Sequence, residues 1–165
     1  LDQKLIKLSI VNELYDGRIP DRVSIVGPMP VEFGRGESVL WIFNQVLAYR
    51  MAPGKKEEGV SIDPASPIES RYVSTRALDK AHIPKKQLRE KANGDLVVTN
   101  RNIYFLPNPE SHIRIPISRI FSLQPYAEGF FVSCRPVKER SRAFLLDDPW
   151  FATNVIGRLA QLAHR

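Results

Sequence analysis

This chain of 165 residues has a single cysteine, Cys134. A disulfide framework and a cysteine-built metal centre are therefore excluded, and a reducing compartment fits. Its three histidines, His82, His112 and His164, are far apart, and none has a partner at ligand spacing, so no metal or other cofactor is expected. No apolar run reaches the roughly 20 residues of a membrane-spanning helix. The first residues lack a charged segment followed by an apolar core, so no signal peptide is expected. There is no G-x-S-x-G, no phosphate-cradling glycine loop and no H-E-x-x-H. Catalysis by a Cys134–His112 pair would lack an orienting third group, and the expectation is a protein without enzymatic activity. Glycine is outnumbered, nine against thirteen prolines, which favours many short elements over long helices.

What is present is ordinary globular material: 43% hydrophobic and 25% charged residues. The length suits one domain, or one domain with an arm, and is enough to bury a core without staples. The formal net charge is +6. That balance favours anionic partners such as lipid headgroups, acidic protein faces or nucleic acid.

The stretch GDLVVTNRNIYFL, 94–106, organises the reading. Residues 95–99 and 102–106 are β-branched or aromatic enough for two strands. Asn100-Arg101 between them makes a two-residue turn in which Asn tolerates a left-handed backbone. Upstream, 1–15 has apolar residues Leu5, Leu8, Ile10, Val11, Leu14 and Tyr15 at helical spacing, and Asp16-Gly17 ends that helix. Residues 23–26 read as a short strand, and 34–37 as a turn. Residues 38–51 read as one long twisted strand, with Val39, Trp41 and Phe43 on one face and Leu40 and Ile42 on the other. Residues 52–70 read as a loop, disordered rather than functional. Segments 71–78 and 85–91 read as polar strands, and Asn93-Gly94 as a hairpin turn. Strands follow over 112–116, 117–126, 130–135 and 142–146, with a turn at 127–129 and a basic loop at 136–141. Asp148-Pro149 starts a final helix, with an acid as N-cap and proline at the first helical position. Its apolar face is Phe151, Val155, Leu159 and Leu162; Asn154, Arg158, Gln161 and His164 take the other. Asp147 and Asp148 are read as helix capping, not as carboxylate chemistry.

Gly94, Thr99-Asn100-Arg101, Tyr104-Phe105, Ile115-Pro116-Ile117, Ile120 and Tyr126-Ala127-Glu128-Gly129, followed by FLLDDPW opening a helix, resemble the bacterial PH-like domains and their relatives, the GRAM domains. The resemblance covers about the last half of the chain. It implies a mainly β fold: a seven-stranded, bent antiparallel barrel capped by a C-terminal helix. The chain then divides into an N-terminal helical arm, 1–17, and a barrel domain, 18–165. The resemblance also implies a non-enzymatic module, cytoplasmic or peripheral to the membrane, that binds a protein or anionic lipid headgroups. The basic signature of lipid-binding members, in the loop between their first two strands, has no match here.

Two basic clusters are the candidate anion- or membrane-binding residues: Lys85, Lys86, Arg89 and Lys91 (with Lys80 nearby), and Arg135, Lys138 and Arg140 (with Arg142). In an unbroken strand Lys85, Arg89 and Lys91 would share a face. If the clusters meet at one barrel rim, they form a patch in which each basic residue is worth on the order of 1 kcal/mol near an anionic membrane. Nucleic acid is the weaker alternative, since no stacking platform accompanies the charge.

Overall fold

One strand, β1 (Val39–Met51), carries the sheet because it has two partners. It pairs along its length with β2 (Leu88–Thr99) and, over residues 47–50, with β7 (Arg142–Leu145), both antiparallel. β3 (Asn102–Pro107) and β4 (Ile113–Pro116) extend the β2 side. β6 (Gly129–Cys134) and β5 (Ile120–Pro125) extend the β7 side. The order is β4-β3-β2-β1-β7-β6-β5, flanked in sequence by helices α1 (Gln3–Tyr15) and α2 (Pro149–Ala163). The computed structural model describes residues 3–20, 32–51, 82–107, 112–134 and 141–164. The segments read above as a strand at 23–26, a loop at 52–70 and a strand at 71–78 lie outside the described residues, as do 108–111 and 135–140.

The architecture is mainly β with a C-terminal helix packed against the sheet, as the motifs led us to expect. The sheet is not closed by hydrogen bonds: among the described residues no ladder joins β4 to β5. The main core lies on the inner face. It contains Phe105, Phe130 and Phe144 from the strands and Phe151, Val155 and Leu159 from α2. Fully burying one such side chain contributes about 1.5–3 kcal/mol.

Four local expectations are corrected. The alternation predicted along β1 fails because its register shifts between Val39 and Trp41. Leu40 therefore joins Phe43 in the main core, while Val39 and Ile42 belong to a small outer cluster with Val97 and Tyr104. Such a bulge sets two residues against one and breaks the period of two. Secondly, Asn93-Gly94 is no turn. β2 runs through it, and Gly94 pairs with both Val46 and Pro107. A Cβ on Gly94 would lie 2.4 Å from the Leu106 carbonyl oxygen, so close backbone approach selects glycine here. Thirdly, residues 85–91 are not one strand. Lys85–Gln87 form a 3-10 turn, β2 starts at Leu88, and Glu90 interrupts it with φ 54°.

The fourth concerns the β2–β3 turn. Asn100-Arg101 does connect the strands, but neither residue has positive φ. Side chains hold the turn instead. Thr99 Oγ1 accepts from the amides of Arg101 (3.1 Å) and Asn102 (2.9 Å). Asn100 Oδ1 accepts from Ser38 N (2.8 Å), and its Nδ2 donates to Gly36 O (3.0 Å).

α2 starts as its sequence predicts. Asp148 Oδ1 accepts from Phe151 N (3.3 Å), and Pro149 follows. Its second face is a further correction. Asn154 and Arg158, expected toward solvent, are 0% and 3% exposed, because α1 lies across them. Arg158 Nε donates to Leu14 O (3.0 Å) and its other guanidinium donor to Tyr15 O (3.1 Å), with the guanidinium 5.0 Å from the Tyr15 ring centre. The cation thus adds donors to the carbonyls at the end of α1. Gly17, at φ 82°, completes that end: Gly17 N donates to Leu14 O and Arg18 N to Glu13 O. Of the apolar residues of α1, Ile10, Val11 and Leu14 are buried, and Leu5 and Leu8 stay exposed.

Candidate functional site

The antiparallel register gathers basic residues at one end of the sheet. Arg50, near the end of β1, is paired with Arg89 of β2 on one side and with Arg142 of β7 on the other. Three arginines on three adjacent strands thus form one cross-strand row. Lys85 and Lys86 precede it on the 3-10 turn, both exposed. Arg89 Nη1 donates to Lys86 O (2.6 Å), which draws that guanidinium back over the turn. Glu90, placed by the bulge, accepts from Arg50 Nη1 at 2.7 Å. Lys91 is exposed beyond the bulge. Arg135, Lys138 and Arg140 lie outside the described residues, between the end of β6 and the start of β7. Arg142, the first residue of β7, is thereby linked through Arg50 to the Lys85–Arg89 group. Arg50 was missed in the sequence because it sits in an apolar run. Its only signal there is being the last charged residue before β1 ends.

Beside this row lies a cavity of about 330 Å³ between β4 and the β6–β7 pair. It is lined by His112, Ile113, Arg114 and Ile115 along β4 and by Val132, Cys134 and Arg142 opposite. His112 and Cys134, considered above as a reactive pair, share this cavity without a hydrogen bond between them. Among the described residues no group of three or more His, Cys, Asp or Glu side chains could hold a metal ion. His82 is engaged elsewhere: its Nδ1 donates to Glu128 Oε1 (2.7 Å), and Ile83 N donates to Glu128 Oε2 (3.1 Å). Burial pushes the Glu128 carboxyl up, and these two bonds, with its own backbone amide and the His82 charge, outweigh it and hold the group below its ordinary value. His164 lies against Ile120 O at 3.1 Å. Asp148 caps α2 and pairs with Lys7 (2.7 Å), as capping rather than catalysis requires.

The densest polar network is structural and surrounds Glu37. Its carboxylate accepts from Thr99 Oγ1 (2.6 Å), Asn102 Nδ2 (2.8 Å), Tyr104 OH (2.9 Å) and Gly34 N (2.9 Å). Burial raises this carboxyl, and the four donors together bring it below the ordinary value. Burial and the facing Glu37 push the Tyr104 phenol up to about 12. The Thr-Asn motif is thus the anchor by which residues 34–37, ahead of β1, grip the β2–β3 turn.

No protein-family model matches the chain, and no curated protein sequence does. Among solved structures it is similar to the Vps36 N-terminal PH domain. That likeness has a TM-score of 0.44 and 10% identity, and covers 79% of this chain and 83% of that one.

Proposed function

We propose that the protein is a non-enzymatic binding module that docks onto an anionic surface, lipid headgroups or an acidic protein face, through the basic end of its sheet. The carrying observation is the cross-strand row Arg89–Arg50–Arg142. It links the Lys85–Lys86 turn to the start of β7, with Glu90 paired to Arg50. Arg135, Lys138 and Arg140 belong to this reading through their place in the sequence between β6 and β7. Membership among the bacterial PH-like or GRAM relatives, and a cytoplasmic or membrane-peripheral location, are part of the same proposal, on the Gly94–Gly129 motifs.

Co-sedimentation with anionic and with neutral vesicles tests it. Pelleting with anionic vesicles alone is expected, falling as salt rises, because the Debye length is only about 8 Å at 0.15 M. Reversing Lys85 and Lys86 to glutamate should remove that pelleting and shift stability by less than about 0.5 kcal/mol, since both are exposed. Equal pelleting with both lipids, or none with either, would exclude the membrane and leave the acidic protein face.

A further inference from the structure

The Tyr126–Gly129 turn between β5 and β6 is fixed by its own backbone and by β7. Across its neck, Tyr126 N donates to Gly129 O (2.8 Å) and Gly129 N to Tyr126 O (3.3 Å). Leu146, just past β7, donates its N–H to Glu128 O (3.1 Å). A Cβ on Gly129 would run into the Phe144 carbonyl oxygen, so the turn lies pressed against β7. Tyr126 is buried at its base. The Glu128 side chain therefore projects from a mount that backbone bonds hold in place.

Both of its oxygens hold the chain that leads to the basic turn. Oε1 takes His82 Nδ1 at 2.7 Å, and Oε2 accepts from Ile83 N at 3.1 Å. The Ile83 side chain is buried. Pro84 follows, and Gln87 N donates to Pro84 O (3.0 Å), closing the 3-10 turn that carries Lys85 and Lys86. On the far side of that turn, Leu88 pairs with Met51 of β1. The two exposed lysines thus stand on a short bridge, with one foot in the sheet and the other on Glu128.

We infer that Glu128 is a positioning residue for membrane docking: its carboxylate fixes the direction in which Lys85 and Lys86 face an anionic lipid surface. This rests on the docking reading above and adds to it an acid that promotes binding to an anionic partner. Charge-assisted bonds to two successive residues set the path of the backbone. Lysines held on a set path have less freedom to lose at the surface. By charge alone the same carboxylate would oppose docking. The two effects have opposite signs, which makes them separable.

The test is co-sedimentation with phosphatidylserine–phosphatidylcholine vesicles, with phosphatidylcholine alone as the blank. Glu128→Ala takes a negative charge from a chain of net charge +6, so a carboxylate acting by charge alone would leave pelleting stronger. Positioning predicts the reverse, a loss of about three- to tenfold, as expected when rotamer-rich side chains must be ordered at docking. Glu128→Gln keeps an oxygen for Ile83 N and an amide for the imidazole ring, and should restore pelleting. In the nitrogen-labelled protein, the Lys85–Gln87 amides should lose order in Glu128→Ala while those of Ala143–Leu145 keep it. Circular dichroism confirms that the variant folds. If it does not, Glu128→Asp keeps the charge, shortens the reach by one methylene, and should weaken pelleting and loosen the same amides. Pelleting of Glu128→Ala as strong as that of the unaltered protein, or stronger, overturns the positioning role and leaves the docking reading standing. Lys85–Gln87 amides that stay equally ordered overturn it too. An unaltered protein that pellets with neither lipid ends membrane docking and this inference with it.

Discussion

The helical side of the molecule and its open end treat arginine in opposite ways. Arg158 is nearly inaccessible at 3% exposure, and carbonyl oxygens of α1 accept its hydrogen bonds. Arg89 at the other end is exposed and, among the described residues, reaches the carbonyls of Lys86 and Leu88 beside it. A buried cation with bonded donors holds two elements together and contributes nothing to outside recognition. Cations in water stabilise the fold little and remain available to a partner. The difference teaches that the +6 charge is a poor guide by itself, because the one arginine of the last helix is consumed by folding.

Breaking the helical side should give the largest effect. Arg158→Ala takes its donor from the Tyr15 carbonyl, leaves Leu14 O with Gly17 N alone and empties a buried site between the helices; an unmade buried hydrogen bond costs about 1–3 kcal/mol. A loss of about 3 kcal/mol in urea unfolding is expected. Arg89→Ala should stay within about 0.5 kcal/mol; equal losses for the two would erase the contrast. Gly94→Ala comes next. Its new methyl meets the backbone of Leu106 and Pro107, and overpacking of this kind costs typically about 1–3 kcal/mol. Unchanged stability would show that β2 and β3 can separate without penalty.

The smallest effect sharpens the comparison through pH. Glu37 is depressed in the folded state, so its contribution is complete above the ordinary carboxyl value of 4.5 and is lost as pH falls below it. Tyr104 is raised, so its contribution holds below its ordinary value of 10.0 and is lost as pH rises toward about 12. Melting temperatures of the protein and of Glu37→Gln should differ most between these limits, and the gap should narrow as pH falls below 4.5. A constant gap across that range would mean that the carboxylate charge is not what the network uses.

How legible these features were in the sequence follows from how local their causes are. The strands from β3 to β7 and the start of α2 were readable, because alternation, Asp148-Pro149 and the Tyr126–Gly129 turn act between near neighbours. Asn93-Gly94 misled because the same dipeptide serves a turn and a close strand approach, and only the pairing with Pro107 decides between them. Arg158 misled because helical periodicity reports two faces and cannot say that α1, 144 residues away at Leu14, covers the second. Of the candidate site, Lys85, Lys86 and Arg89 were readable as a charge run. The row through Arg50 was not, since it exists only in the register of three strands.

The clasp between Arg158 and the end of α1 also bears on how the chain is made. α1 leaves the ribosome well before α2, with Ile10, Val11 and Leu14 needing cover. The guanidinium that closes its last turn follows 144 residues after Leu14. At about 5–20 residues per second, the nascent segment waits on the order of ten seconds for its lid. A helix of 13 residues is marginal in water by itself. The order of synthesis thus sets α1 out long before its cover, and a ribosome stalled short of residue 158 would display a greasy, half-formed helix to whatever chaperone stands nearby.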